Sequence, residues 1–249
     1  MRNFVLLLAL ISAVGAPARA ADVIFDSGGF ESYTPGNIAG QDGWRDDDLD
    51  PLQPNTFAAI AAAPGGHGQA LAFQNTGNTE SSATVDFSNL VGAYNYVLVS
   101  FDMLREGSGA NNMLWFSATG SASTGYYGLV QGGAAPQIMP AGYFAPGDSA
   151  PVTPSQWMNI SLEYDLVNGL VSAAVDGASV ASNVSVGTSP TFSGWNFTDQ
   201  NLGAGTGERV FVDNLRVTAA NTSAIPEPAT LALLALAAPL GALRRRRKA

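Results

Sequence analysis

Asn159-Ile160-Ser161-Leu162-Glu163-Tyr164-Asp165-Leu166-Val167-Asn168-Gly169 decides the fold. In an extended chain Ile160, Leu162, Tyr164 and Leu166 fall on one face and Asn159, Ser161, Glu163 and Asp165 on the other, because successive strand side chains alternate. Asn168-Gly169 supplies the left-handed positions of a tight hairpin turn. Leu170–Val175 then returns, Asp176-Gly177 turns again, and residues 178–181 start a third strand. The pattern predicts a three-stranded antiparallel meander whose polar face meets water or a ligand.

The same grammar runs outward from this meander. Short β-branched, aromatic and apolar runs at 70–74, 83–87, 96–104, 113–119, 126–131 and 210–217 are separated by Gly, Asn, Asp and Pro, which predicts further strands. The Ala-rich run 58–63 stops at Pro64-Gly65-Gly66, too short for a stable helix. In the last strand the apolar set changes face at Asp213-Asn214, which predicts a bulge. Residues 25–33 offer an edge to pair with that strand, which would bring the two ends of the body together. The expectation is an all-β body, residues 21–224, built as a two-sheet antiparallel jelly-roll sandwich.

Composition excludes several chemistries. Of 249 residues, 46% are hydrophobic and only 12% charged; Cys is absent and His67 is the single histidine. No disulfide, thiol nucleophile or Cys/His zinc site can be built from this set. Residues 21–224 contain four basic residues, Arg45, Arg105, Arg209 and Arg216, against nineteen acidic ones, a net charge of −15. Such a surface repels phosphate backbones, so nucleic acid is not an expected partner.

The ends read as addresses. Arg2, the apolar run 4–14 and Ala18-Arg19-Ala20 make residues 1–20 a secretory signal peptide. At the other end Pro226-Glu227-Pro228 precedes an apolar run at 229–243, then Arg244, Arg245, Arg246, Arg247 and Lys248. Fifteen residues span about 22 Å as a helix, short of a ~30 Å hydrocarbon core, so the basic cluster would only pause the chain at the inner membrane.

Residues 225–248 resemble the PEP-CTERM sorting signal of Gram-negative bacteria, with Ile225 where Val commonly stands. The resemblance implies a hydrophobic sorting helix, an exosortase-type membrane partner, transient inner-membrane anchoring and delivery to the cell surface or a biofilm matrix. Glu227 would then be a recognition residue for that partner. The body, through residues 30–44, 157–177 and 212–217, resembles the concanavalin-like and laminin-G-like sandwiches that often precede such signals. That likeness implies carbohydrate binding, adhesion or glycan cleavage, without choosing among them.

For an enzyme the candidates are Glu163 and Asp165, two apart on one strand face at a spacing of about 6–7 Å. Residues 163–168 resemble the Glu-x-Asp-x-x-Glu signature of a sandwich glycoside-hydrolase family, in which the last Glu is the acid. Here Asn168 holds that place, and an amide cannot donate a carboxylic proton. No Gly-x-Ser-x-Gly elbow accompanies His67, which reads as a polar loop residue. Asp46, Asp48 and Asp50, in an acidic run beside Trp44, are candidate ligands for a structural calcium, with Asp22, Asp26 or Asp213 as possible complements. Trp44 and Trp195, each beside Gly and polar residues, are the candidates for stacking on a sugar ring; Trp157 and Trp115 read as packing residues. The expected function is non-catalytic binding of an extracellular polysaccharide by a secreted surface or matrix protein; the alternative is a glycan hydrolase or lyase.

Overall fold

The computed structural model describes residues 21–45, 58–74, 80–106, 112–119, 127–130, 137–140, 150–151, 153–186, 188, 191–201 and 209–221. They form β1 (Asp22–Asp26), β2 (Gly36–Asn37), β3 (Trp44–Arg45), β4 (Ala59–Ala62), β5 (Gln69–Gln74), β6 (Glu80–Asp86), β7 (Tyr96–Arg105) and β8 (Asn112–Thr119). The chain continues through β9 (Tyr127–Val130), β10 (Gln137–Pro140), β11 (Ala150–Pro151), β12 (Met158–Asp165), β13 (Leu170–Val175), β14 (Ala178–Ser185), β15 (Gly194–Asn201) and β16 (Arg209–Ala220).

Two antiparallel sheets result, as expected. A nine-stranded sheet runs β14-β13-β12-β7-β16-β5-β4-β2, with β1 added against β16, and a seven-stranded sheet runs β11-β10-β9-β8-β15-β6-β3. Alternation puts Ile160, Leu162 and Tyr164 of β12, Val97, Val99 and Phe101 of β7 and Val210, Val212 and Leu215 of β16 into one buried cluster with Phe116, Trp195 and Phe197 of the smaller sheet. Phe101 meets Phe116 and Phe197 edge to face, with centroids 5.1 and 5.2 Å apart, a geometry that matches positive ring edges to negative ring faces.

The C-terminal sorting helix is a correction. Among the described residues there is no α-helix, only 3-10 turns at Gly28–Phe30 and Pro64–Gly66. No helix there is long and apolar enough to cross a membrane. Transient inner-membrane anchoring as a step of the localisation is therefore withdrawn, and with it the exosortase-type partner. The segments 1–20 and 225–248, with Pro226, Glu227, Pro228 and Arg244 to Arg247, lie outside the described residues.

The meander forms with one difference at its first turn. Asp165 pairs with Leu170, so the loop has four residues, and only Gly169 is left-handed there (φ 65°). Asp165 Oδ1 accepts from the N–H groups of Val167 and Asn168 at 2.9 Å each, and Oδ2 accepts from the Asn168 amide at 2.7 Å. This side-chain-capped turn outcompetes the two-residue one because an aspartate at its first position satisfies donors a tighter turn would leave to water. The second turn has Asp176 and Gly177 both left-handed (φ 49° and 76°), as a two-residue hairpin demands.

The end strand also follows its sequence. β16 pairs β7 with a register shift between Asp213 and Arg216, and Asn214 is left-handed (φ 51°): the bulge is where the apolar pattern changes face. β1 pairs β16 from Asp22↔Ala219 to Asp26↔Arg216, joining the two ends of the described body.

Candidate functional site

The bulge builds the site. On β16 Val210 and Val212 point into the core, so Phe211 and Asp213 point to the other face of the large sheet, away from the smaller one. β7 presents Asp102 directly opposite Asp213, and β12 presents Asn159 opposite Asp102. Two carboxylates side by side on neighbouring strands repel unless something is placed between them. Here the extra residue of the bulge does this: the Asn214 amide donates to Asp102 Oδ2 at 2.8 Å and reaches Asp213 Oδ2 at 3.5 Å. The Asn214 N–H donates to Asp213 Oδ1 at 2.7 Å, and the Asn159 amide donates to Asp102 Oδ1 at 2.9 Å.

His67 completes the cluster. Its Nδ1 lies 2.8 Å from Asp213 Oδ2, with the His67 side chain 25% and the Asp213 side chain 3% exposed. The imidazole stacks on Trp157, centroids 3.9 Å apart at 18°, and the indole Nε1–H is fixed on the Pro64 carbonyl at 3.0 Å. Burial raises the Asp213 carboxyl above the usual range; His67 and the Asn214 N–H pull it back, while the Asp102 carboxylate adds to the rise.

Close approach of two turns makes this contact possible. Gly29 (φ 72°) lies against the bulge, where a Cβ would sit 3.2 Å from Asn214 Oδ1. Gly68 (φ 65°) lies against the Glu31 carboxylate, where a Cβ would collide with Oε1. Glycine fits both positions, having neither the left-handed penalty nor the atom. The loops are then tied together: Glu31 Oε1 accepts from the Gln69 N–H at 3.0 Å, and the Gln69 amide donates to the carbonyls of Glu31 and Tyr33 at 3.1 and 3.3 Å.

The residues singled out from sequence lie elsewhere. Trp44 and Trp195 are 2% and 0% exposed. Trp44 packs against Phe25 and Phe30, each at 5.9 Å, and Trp195 against Phe116, Tyr164 and Phe197. Neither indole offers a face to a sugar, so the assignment of these two as stacking platforms is corrected to core packing. Glu163 does share the outer face with Asn159, but it is buried at 7% exposure, and both oxygens of Asp165 are engaged by the turn after it. Asp46, Asp48 and Asp50 lie outside the described residues. The suggested calcium complements are apart: Asp22 accepts from the Tyr94 hydroxyl, Asp26 caps the Gly28 N–H, and Asp213 holds His67. Among the described residues no group of three or more His, Asp or Glu could hold a metal ion.

Sequence reasoning missed His67, Trp157, Asp102, Asn159 and Asn214 as a set. One signal pointed there: an aspartate beside an asparagine at the face change of an otherwise apolar strand.

By sequence the chain matches no family model and no curated protein. Its fold is shared with solved structures. A sialidase superposes with a TM-score of 0.57 at 13% identity, over 83% of this chain and 19% of that one, so this chain spans about a fifth of the sialidase. The CBM2 module of the evolved Dit of Lactobacillus casei BL23 phage J-1 gives 0.55 at 10% identity over 82% of this chain and 98% of the module. The carbohydrate recognition domain of Emp46p, in its potassium-bound form, gives 0.51 at 13% identity over 78% and 95%. At such identities the likeness is one of fold: the chain carries the β-sandwich architecture that these structures share.

Proposed function

We propose that this chain is a non-catalytic carbohydrate-binding protein that meets its ligand on the outer face of the large sheet. One observation carries the reading: an oriented imidazole, His67, and two amide side chains, Asn159 and Asn214, are held in a fixed array by Asp102 and Asp213. Sugar recognition needs hydrogen-bonding groups that are already positioned, since ordering them at the moment of binding costs affinity. The shared fold with a domain named for carbohydrate recognition supports the reading without fixing the ligand. In its finer form the proposal makes the chain a glycan-binding component of an extracellular matrix.

The test is retention of the folded full chain on immobilised neutral polysaccharides. Retention that falls at least tenfold in His67→Ala and Asn159→Ala variants supports the site. Equal retention of both variants removes it, and no retention on any glycan removes the carbohydrate reading.

A hydrolase or lyase is the second reading, and the Asp102–Asp213 pair beside His67 is what favours it. Cross-strand Cβ atoms lie about 4.5–5.5 Å apart, within range of paired glycosidase carboxylates. Against it, Asp213 is covered by the imidazole, so that carboxylate could not itself reach a substrate. New reducing or unsaturated ends in the retained polysaccharide, lost in Asp102→Asn, would replace the binding reading with this one. Calcium stays a separate proposal at Asp46, Asp48 and Asp50; a higher melting temperature in calcium than in chelator supports it, and equal melting removes it.

A further inference from the structure

The arginines show which glycans this face can take. All four basic residues of the body are described, and each is committed. Arg105 is wholly buried. Arg45 pairs with Asp86 at 2.6 Å, and Arg209 makes a forked pair with Glu106 at 2.7 and 3.0 Å, its guanidinium 4.9 Å above the Phe211 ring. Arg216, the basic residue nearest the site along β16, faces Asp26 at 3.6 Å. Recognition of a carboxylate or sulfate uses a guanidinium or ammonium free to turn its donors on the anion. Among the described residues, apart from a protonated His67, such a donor would have to be taken from an existing partner.

The groups around the array have the opposite sign. Asp102 and Asp213 lie within it, Asp176 accepts from the Asn159 N–H at 2.8 Å, Glu31 holds Gln69 two positions from His67, and Asp26 takes Arg216. Five carboxylates therefore surround one arginine and one histidine. They belong to a body whose net charge is −15 in all, a field that lowers the local concentration of anions and raises that of cations.

Resting on the carbohydrate reading, we infer that the site takes saccharides without anionic groups, favours those with a protonated amine, and rejects uronates and sulfated sugars. The amides of Asn159 and Asn214 and the imidazole serve hydroxyl groups. The free lone pairs of Asp102 serve an ammonium, which a neutral array could not prefer.

The experiment compares ligands that share a backbone and differ in charge. The full chain is run at 150 mM salt on chitin, on chitosan, and on polygalacturonate at high and low methyl esterification. Chitosan should retain the protein at least as strongly as chitin, and removing methyl esters from polygalacturonate should weaken retention. Tighter binding to bare polygalacturonate than to its ester would overturn the inference while leaving the carbohydrate reading intact; binding to none of the four overturns both. Two variants separate the site from overall charge. Asp102→Asn, or Glu31→Gln should the first fail to fold, reduces chitosan retention about two- to fivefold, the range of one partly exposed charge pair. Asp22→Asn makes the same change in net charge at the far end of β16 and leaves retention unaltered. An equal loss in Asp22→Asn would assign the preference to the whole body and overturn the site.

Discussion

Two aspartates, both almost fully buried, have been treated in opposite ways. Asp199 lies on β15 among the inward-facing residues of the smaller sheet, in line with Trp195 and Phe197, and burial pushes its carboxyl up to about 7. Asp213 lies on the outer face of the large sheet; burial raises its carboxyl too, and His67 and a backbone N–H reduce that rise. Burying charge costs several kcal/mol unless donors replace the lost water. Around Asp213 the chain has built a bulge and two glycine turns, whose donors draw the carboxyl back down. At Asp199 burial is what sets the shift. The difference sets a polar, hydrogen-bonded array on the outer face against an inner face given to packing.

The comparison can be broken most easily from the inner side. Trp195→Ala removes a fully buried indole from between the sheets and is expected to cost about 3–5 kcal/mol in urea unfolding. A cost under 1 kcal/mol would mean that the indole packs loosely enough to serve another purpose.

Next comes pH. The folded state holds the Asp199 proton more tightly than the unfolded chain, whose carboxyl titrates near 3.9, so its contribution is full below pH ~4 and is lost as pH rises through about 7. The loss should approach a few kcal/mol by pH 8. Asp199→Asn should flatten the slope and be the more stable protein at pH 8. An unchanged slope in that variant would place the titration elsewhere.

On the outer side, His67→Ala leaves the Asp213 carboxylate without its ring partner and should cost about 1–2 kcal/mol. Unlike Trp195→Ala it should also abolish saccharide retention, and that second effect separates a site residue from a packing one. The smallest change is Gly29→Ala. It meets both a left-handed backbone and the Asn214 side chain, so about 1 kcal/mol is expected in thermal unfolding.

The legible parts of the molecule are those governed by local alternation. The meander from Met158 to Ser185 and the bulge at Asp213-Asn214 follow from side-chain parity and turn residues that lie within a few positions of one another. The misjudged tryptophans failed for a related reason. Trp195 sits between Gly194 and Asn196, which suggests exposure, yet Trp195, Phe197 and Asp199 share one parity and go inward together. The polar alternate residues Asn196 and Thr198 are the outward half of a period of two, which neighbour polarity alone does not reveal. His67 and Asp213 are another matter, since 146 positions separate them. Their meeting depends on β5 lying beside β16 and on Gln69 tying the turn after β1 to the turn before β5. No local pattern encodes a strand order, and a lone histidine in a glycine-rich loop has the same appearance whether it meets solvent or a carboxylate.

The antiparallel pairing of β1 with β16 has a mechanical meaning. Asp22 lies opposite Ala219, so the chain enters and leaves the sandwich side by side. Pulling those two ends apart would peel β1 from β16 one hydrogen bond at a time, as a zipper opens, instead of loading the whole ladder in shear. A tether at one end alone leaves the ladder without tension. The strand that would yield first is the one whose last residue, Asp26, steadies Arg216 and leads into the Gly28-Gly29 turn. Drag on both ends would therefore loosen the outer-face array before it disturbed the aromatic core.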